Sequence, residues 1–503
     1  MSTITFAVKK QLISICKRID AIGMATLLAL FAVTSHAYAD VDGPIWGKPT
    51  LLGTTSFKLA DVGYEQSEYF ISGYAKSYTN TKPLTEDGKW SVAVADLAYY
   101  KTRFIVYRPI DPAKFNGTVI VEWLNVSGGT EASSQWIMSH TELIRKGYAW
   151  VGVSAQKAGI DGGGANLTGL PLYLKFLNPL RYWSLHHPGD QYAYDIFSQA
   201  ARAVIHPGFF APDPLDGLKV KRAIAAGESQ SADFMLTYVD AIAPIDKLFD
   251  GYLIHSRVHG TVGLDPATND ISNFASRSTV KLRDDLNVPA MMLETETDLT
   301  VLGALADRQD DSRNIRVWEL PGAAHADYYV STKGLSDEGD DPSIAAVTET
   351  KAAVPILVTC DQPINDGPEH FVVNAAVAAL NNWIITGHAP ASAPRLQLTG
   401  DPAEYVRDSV GNALGGVRTP YVDAPIAALS GEGQGTDTSN ICFLFGTTHL
   451  LSSTQLMSLY PNHASYVSAV DSSADNAVLN GFLLKPDADL IKSWAASSSI
   501  GDY

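Results

Sequence analysis

Ser229 is the residue whose setting first suggests chemistry. It lies in "AIAAGESQSADF" (Ala223–Phe234), where a short apolar run typical of a strand stops at Gly-Glu-Ser-Gln-Ser and a helical pattern follows. A serine at such a junction is either a helix N-cap or a nucleophile held exposed by a sharp strand-to-helix turn. The stretch departs from the G-x-S-x-G pattern of that turn because Ser231 replaces the last glycine. Ser231 is therefore a rival nucleophile.

A serine that attacks a carbonyl carbon needs a base, and the base needs an acid that orients it. The predicted strand "VPAMMLETETD" (Val288–Asp298) ends in Asp298, which places a carboxylate at the carboxyl end of a strand, where α/β sheets build their sites. Glu294 and Glu296 compete with it, since strand alternation directs all three side chains the same way. Asp298 is the preferred acid because it lies in the turn itself.

His325 is the candidate base. It ends the stretch "IRVWELPGAAH" (Ile315–His325), in a loop that follows the last predicted strand of the core. The chain order Ser229, Asp298, His325 is the order found in α/β hydrolases. Because three placements at strand ends agree, we predict a Ser-His-Asp triad that transfers acyl groups.

Acyl transfer also needs hydrogen-bond donors for the oxyanion that develops on the substrate. One predicted donor is the backbone N–H of Gln230, which follows the nucleophile at the start of a helix. The second is the backbone N–H of Asn125 or Val126, since Ser127-Gly128-Gly129 after them lets the backbone approach a ligand.

Continuous apolar runs alternate with helical patterns along the middle of the chain. Predicted strands include "TVIVEWLNV" (Thr118–Val126), "YAWVGVSAQ" (Tyr148–Gln156), "VKRAIAAG" (Val220–Gly227) and "LFDGYLIHS" (Leu248–Ser256). Helices are predicted over 133–146, 194–204 and 232–242. Such alternation predicts an α/β fold with a doubly wound, mostly parallel sheet, and residues 46–107 predict antiparallel strands at its edge.

Two regions fall outside this alternation. Residues from about 157 to 189 form a Gly-rich and aromatic insertion, which we interpret as a lid or pocket wall. From about 336 to 503 a C-terminal extension begins with an acidic loop and continues with one predicted amphipathic helix, Val372–Ile385. Beyond it we predict a tail of strands and turns. A solvated surface is the favoured interpretation of the acidic loop, and a calcium site the alternative.

The N-terminus has the features of a secretory signal peptide, here predicted over residues 1–39. Lys9, Lys10, Lys17 and Arg18 precede an apolar run of thirteen residues, and Ala37-Tyr38-Ala39 forms a small-x-small cleavage site. A membrane anchor is the less favoured alternative, because a bilayer span needs roughly 20 residues. We therefore expect a secreted or periplasmic protein, cleaved near Ala39, whose hydrolase domain covers 40–503.

Composition and charge exclude several classes of protein. The chain has 503 residues, 46% of them apolar and 18% charged, which indicates one large globular domain with insertions, or two domains. Its formal net charge of −17 becomes more negative when the basic leader is removed, which disfavours nucleic acids and anionic membranes as partners. No later stretch is long and apolar enough to span a bilayer.

Cysteine usage and short motifs add two expectations. Cleavage removes Cys16 and leaves Cys360 and Cys442, which in an oxidising compartment favours a single disulfide. No Walker A motif and no H-E-x-x-H are present, and no G-x-G-x-x-G follows a strand. We therefore predict neither a cofactor nor a metal.

Several strings resemble those of secreted bacterial "alpha/beta hydrolase domain" proteins. They are "VEWLNVSGG" (121–129), "VGVSAQ" (151–156), "HPGDQYAYDIFSQA" (187–200), "AAGESQSA" (225–232), "ETETDL" (294–299) and "GNALGGVRTPYVDAP" (411–425). The resemblance covers nearly the whole mature chain and implies a serine hydrolase that cleaves small-molecule carboxylic esters. It also implies that the C-terminal extension packs on the catalytic sheet, which would position Cys442 to meet Cys360.

Two alternative functions remain at this point. The same triad serves amidases and peptidases, and the sequence carries no mark that separates them from esterases. A secreted binding protein on a hydrolase scaffold would use Ser229 only as a helix cap. The substrate and the oligomeric state are left open.

Overall fold

A computed structural model describes residues 39–164, 166–264, 271–354, 358–435, 437 and 440–503. Residues 1–38 of the predicted signal peptide lie outside this range. The strands are β1 Asp40–Asp42, β2 Tyr64–Asn80, β3 Val92–Pro109, β4 Thr118–Trp123, β5 Ala149–Val153, β6 Arg222–Glu228, β7 Gly251–His255, β8 Ala290–Thr295, β9 Ile315–Leu320, β10 Ala352–Val354, β11 Val358–Thr359, β12 Leu398–Thr399, β13 Glu404–Tyr405, β14 Ala427–Ser430 and β15 Thr447–Leu450.

The α-helices alternate with the strands of the core and continue into the C-terminal extension. They are α1 Ser134–Lys146, α2 Lys157–Asp161, α3 Leu174–Leu177, α4 Pro179–Tyr182, α5 Ala193–Ile205, α6 Gln230–Thr237, α7 Ala243–Asp246, α8 Glu296–Thr300, α9 Tyr328–Ser331, α10 Glu369–Thr386, α11 Pro420–Asp423, α12 Ser453–Leu459, α13 His463–Leu479 and α14 Lys485–Ser497.

The central sheet has the order β1-β2-β3-β5-β4-β6-β7-β8-β9 within the described residues. Strands β5, β4, β6, β7, β8 and β9 are parallel neighbours, so their carboxyl ends meet at one edge. Strands β1, β2 and β3 are antiparallel to one another and form one end of the sheet. There β3 pairs with β5, also in antiparallel orientation. The predicted α/β fold with a doubly wound, mostly parallel sheet is therefore confirmed.

The parallel strands are predominantly apolar because both faces of the sheet are covered. Strands β4, β7 and β8 are buried along their whole length. On one face Trp123 of β4 packs on Phe197 of α5 and Phe234 of α6. On the other face the core includes Ile120 of β4 and residues of α1 and α10. This double burial explains why the strand sequences do not alternate between apolar and polar residues.

Helix α10 is less amphipathic than its sequence predicted, because it has neighbours on several sides. Val373 and Leu380 belong to the core beneath the sheet. Asn374 bonds to Thr141 of α1 at 2.9 Å and to Asp487 of α14 at 3.2 Å. The C-terminal extension thus packs on the central sheet through this helix.

The prediction of strands and turns for the rest of the extension was wrong for its last part, which is helical. Helices α13 and α14 pack against each other and share an apolar cluster that includes Tyr466 and Ile491. Ser, Asp and Val are frequent in α13 and are weak helix formers, so the local signal was poor. Packing and an N-terminal capping box between Asn462 and Ser465 stabilise the helix instead.

The described residues of the insertion 157–189 reach the loop that follows β4. The backbone N–H of Leu167 donates to the Ser127 carbonyl at 2.8 Å, and the Thr168 hydroxyl donates to the Gly128 carbonyl at 2.6 Å. Elsewhere Leu174 and Tyr182 are buried in a cluster with Phe70 of β2.

Within the part of the chain that the structure describes, no helix combines the length and apolar character that a bilayer span requires.

A disulfide joins Cys360 to Cys442, with their Cα atoms 5.6 Å apart. Both cysteines are buried beside the loop that carries His325. Leu444 lies two residues after Cys442, and its carbonyl accepts the N–H of Ala326 at 3.0 Å. The predicted disulfide is therefore present, and it fixes a segment that contacts this loop.

We expect the double variant Cys360→Ser/Cys442→Ser to be less stable than the wild type. The bond closes a loop between residues 82 positions apart. Without it the unfolded chain gains conformational entropy, which lowers the free energy of unfolding by about 4 kcal/mol. Equilibrium denaturation in guanidinium chloride, with and without reductant, measures the free energy of unfolding. Equal stability of the variant and the oxidised wild type would contradict the expectation.

Candidate active site

Ser229 occupies a strained turn between β6 and α6. Its backbone has φ 58° and ψ −128°, a conformation that non-glycine residues rarely adopt. The Ser229 N–H donates to the His255 carbonyl at the end of β7, 3.0 Å away. Gly227 is required here, because a Cβ at that position would collide with the carbonyl oxygen of Ser231. The turn therefore lifts Ser229 above the carboxyl edge of the sheet, as the sequence predicted.

Ser231, the rival nucleophile, points elsewhere. Its side chain is fully buried, and its hydroxyl has no hydrogen-bond partner among the described residues. A glycine is not needed at this position because the side chain fits inside the turn.

The structure brings Ser229, His325 and Asp298 into one hydrogen-bonded chain. Nε2 of His325 lies 2.8 Å from Oγ of Ser229, and Nδ1 lies 2.6 Å from Oδ1 of Asp298. Ser229 and His325 are 6% and 5% exposed, and Asp298 is completely buried. In a triad, the nucleophile and the base must reach the substrate, whereas the acid contacts only the base. The exposed fractions of the three side chains agree with these roles.

A helix-capping interaction fixes Asp298. Thr295 is the N-cap of α8, and Oδ2 of Asp298 accepts the backbone N–H and the hydroxyl of Thr295 at 2.6 and 2.8 Å. One carboxylate oxygen is thus held by the helix start, and the other faces His325. This role of Asp298 was not predicted, although Thr-x-x-Asp is the signature of a capping box.

The two competing glutamates have other surroundings. Glu296 accepts the N–H of Gly322 at 2.7 Å and pairs with Arg407 at 3.2 Å, so it ties the loop after β9 to the C-terminal extension. Glu294 is buried with one oxygen unpartnered among the described residues, and burial together with the charge of Asp298 raises its pKa well above the usual range. Of the three carboxylates, Asp298 is the one that contacts His325.

The predicted oxyanion donors lie beside Ser229. The side-chain amide of Asn125 donates to the Glu228 carbonyl at 3.1 Å, which holds the loop after β4 against the elbow. The backbone N–H of Asn125 is used by the Ala132 carbonyl at 3.0 Å. Those of Val126 and Gln230 have no acceptor within the described ranges. Of Asn125 and Val126, the geometry thus favours Val126 as the second donor.

The loop that carries His325 is held from both sides. Thr297 of α8 accepts the N–H of His325 at 3.1 Å and donates its own hydroxyl proton to the Gly431 carbonyl at 2.6 Å. Asn365 donates to the Gly322 carbonyl at 3.1 Å. The sequence gives no local signal for these contacts, because their partners are separated by tens to hundreds of residues.

Charges around the imidazole favour its protonated form. Burial alone would lower the pKa of His325, but the carboxylate of Asp298, followed by that of Glu228, outweighs it and raises that pKa to about 9. Burial raises the pKa of Asp298, and the neighbouring imidazolium outweighs this, so its pKa is lowered overall. Asp298 therefore stays ionised at neutral pH.

A mostly parallel sheet with helices on both faces and a nucleophile elbow after a central strand define the α/β-hydrolase fold. The chain belongs to the alpha/beta hydrolase domain family, whose model matches residues 39–493.

Several solved structures resemble the chain at low identity. A thermostable esterase from Pseudomonas putida ECU1011 is 14% identical over 56% of this chain and 80% of its own, with a TM-score of 0.29. An esterase from Rhizomucor miehei is 12% identical over 63% and 86%, with a TM-score of 0.29. A putative dienelactone hydrolase from Klebsiella pneumoniae subsp. pneumoniae MGH 78578 is 12% identical over 54% and 92%, with a TM-score of 0.27. A comparison with curated proteins finds no match.

Proposed function

We propose that the protein is a serine esterase that cleaves carboxylic esters through an acyl-enzyme. The observation that carries the proposal is the continuous hydrogen-bonded chain from Ser229 through His325 to Asp298, with Ser229 on a strained elbow. Membership of the α/β hydrolase family supports hydrolysis as the reaction class.

In acylation, Oγ of Ser229 attacks the ester carbonyl carbon while Nε2 of His325 takes the hydroxyl proton. The carbonyl oxygen becomes an oxyanion, which the N–H groups of Gln230 and Val126 stabilise. The tetrahedral intermediate then collapses, the carbon–oxygen bond to the alcohol breaks, and His325 returns the proton to the leaving oxygen. Asp298 keeps the imidazole in the tautomer that this exchange requires.

In deacylation, water takes the place of the alcohol. His325 removes a proton from the water as its oxygen bonds to the acyl carbon, and the proton then passes to Oγ of Ser229 as the acyl–serine bond breaks. The products are a carboxylic acid and an alcohol. No step draws on a metal or a cofactor.

We further propose that the insertion 157–189 forms a wall of the substrate pocket and that the protein works in the periplasm or outside the cell. Its contacts with Ser127 and Gly128, next to the proposed oxyanion donors, support the first point. The basic and apolar N-terminus and the disulfide support the second, because disulfides persist in oxidising compartments.

The rate of ester hydrolysis should rise with pH well beyond neutrality. His325 accepts the serine proton only when it is neutral, and its pKa is raised to about 9, so kcat/KM should reach half of its plateau near that pH. Initial rates with a neutral ester, corrected for spontaneous hydrolysis, give the profile. A midpoint at or below 6.5, the ordinary value for histidine, would contradict this electrostatic account.

Matched p-nitrophenyl esters and p-nitroanilides of increasing acyl length test the function itself. We expect the esters to be cleaved and the anilides to be cleaved poorly or not at all. Preferential cleavage of the anilides would favour an amidase on the same triad. A folded protein that cleaves neither series, across short and long acyl chains, would favour a binding protein.

A further inference from the structure

A second carboxylate faces the imidazole from the side of the nucleophile. Oε1 of Glu228 lies 3.8 Å from Nε2 of His325, the nitrogen that contacts Ser229. Asp298 binds the other ring nitrogen, so the ring of His325 lies between two carboxylates. Glu228 is the last residue of β6 and directly precedes Ser229. It is 9% exposed, so solvent has little access to it.

The structure holds this side chain in place through its other oxygen. Oε2 of Glu228 accepts the side-chain amide of Asn125 at 3.3 Å, and the backbone carbonyl of Glu228 accepts the same amide at 3.1 Å. His325 is the sole cationic partner of Glu228 within 4.0 Å among the described residues. The carboxylate is thus aimed at the imidazole, with no lysine or arginine within 4.0 Å of it among the described residues. Burial raises the pKa of Glu228, and the charges of His325 and His255 oppose that rise.

Other titratable groups face the same pair from several elements. They are Asp298 on α8, His255 at the end of β7, Glu369 at the start of α10 and Glu122 on β4. His255 and Glu369 satisfy each other at 3.0 Å. Burial lowers the pKa of His255 and raises the pKa of Glu369 well above its usual range, so both favour their neutral forms near neutral pH. Burial likewise raises the pKa of Glu122, to about 8.

We propose that Glu228 is a positioning residue that stabilises the protonated form of His325 from the Nε2 side and thereby sets the pH range of the reaction. The proposal rests on the esterase function proposed above. When His325 takes the serine proton, positive charge develops beside Oε1, and a fixed carboxylate stabilises that charge without solvent rearrangement. The same interaction favours the imidazolium in the resting enzyme, so activity at neutral pH is limited by proton loss from His325.

The variants Glu228→Gln and Glu228→Asp test this role. Glutamine keeps the shape and can still accept from Asn125 but removes the charge, whereas aspartate keeps a charge near the ring. We expect the midpoint of the kcat/KM profile, recorded from about pH 6 to about pH 10.5, to fall by about one pH unit or more in Glu228→Gln. Glu228→Asp should stay closer to the wild type. Glu338→Gln, at an exposed glutamate, is the control and should leave the midpoint unchanged.

Proton NMR gives a readout that does not depend on turnover. The Nδ1 proton that His325 shares with Asp298 should resonate far downfield, and its titration follows the protonation of the ring. Glu228→Gln should lower this midpoint as well. If the wild type cleaves no ester, the proposed function fails while the titration still tests Glu228; an unchanged midpoint in Glu228→Gln, by either readout, overturns the role assigned to Glu228.

Discussion

Ser229→Ala should lower kcat for ester hydrolysis by about 10⁵-fold or more. The variant removes the atom that forms the acyl-enzyme, and any residual rate comes from the oxyanion donors and substrate binding alone. Its free energy of unfolding should stay within about 1 kcal/mol of the wild type, because the substitution removes one partly accessible hydroxyl and fills no space. Steady-state kinetics and thermal unfolding measure the two effects separately.

Ser231→Ala is the matched control, since it removes a hydroxyl two residues further along the chain that has no partner among the described residues. We expect it to retain nearly all of the wild-type kcat. An active Ser229→Ala variant, or an inactive but folded Ser231→Ala variant, would mean that the nucleophile is misassigned.

Asp298→Asn should lower kcat by about 10⁴-fold. An amide cannot hold the charge that stabilises the imidazolium, and it favours the wrong histidine tautomer. The variant should also lose some stability, because Oδ2 of Asp298 is the acceptor for Thr295 in the cap of α8. The pH profile should flatten together with the fall in kcat.

Glu296→Gln separates this effect from general damage to the loops. Glu296 is as deeply buried as Asp298 but contacts Gly322 and Arg407, not His325. We expect it to lower the free energy of unfolding by about 2 kcal/mol while leaving most of kcat. A fall in kcat as large as that of Asp298→Asn, at equal stability, would instead assign the acid to position 296.

The central sheet and the three residues of the proposed triad could be predicted because their signals are local. Each buried strand is a predominantly apolar run, and Ser229, Asp298 and His325 each follow such a run. Parallel strands share one carboxyl edge, so residues at their ends converge without knowledge of side-chain packing. The chain order then distinguishes their roles.

The supports of the site could not be predicted, since they depend on contacts distant in sequence. Glu369 approaches His325 only because α10 begins beneath the sheet edge, and Arg407 reaches Glu296 across 111 residues. The helices α13 and α14 were missed for the same reason: their polar, serine-rich sequences depend on each other for burial. Of the supports, only the Thr295–Asp298 cap had a readable motif.

Whether Ser229 is an activated nucleophile is most directly tested with a fluorophosphonate probe followed by peptide mapping. Such a probe forms a covalent bond only with a serine whose proton a neighbouring base can remove. We expect one adduct, on the peptide that contains Ser229, in the folded wild type and none in Ser229→Ala. A folded wild-type protein that stays unlabelled, or one that carries the adduct on another residue, would contradict the mechanism.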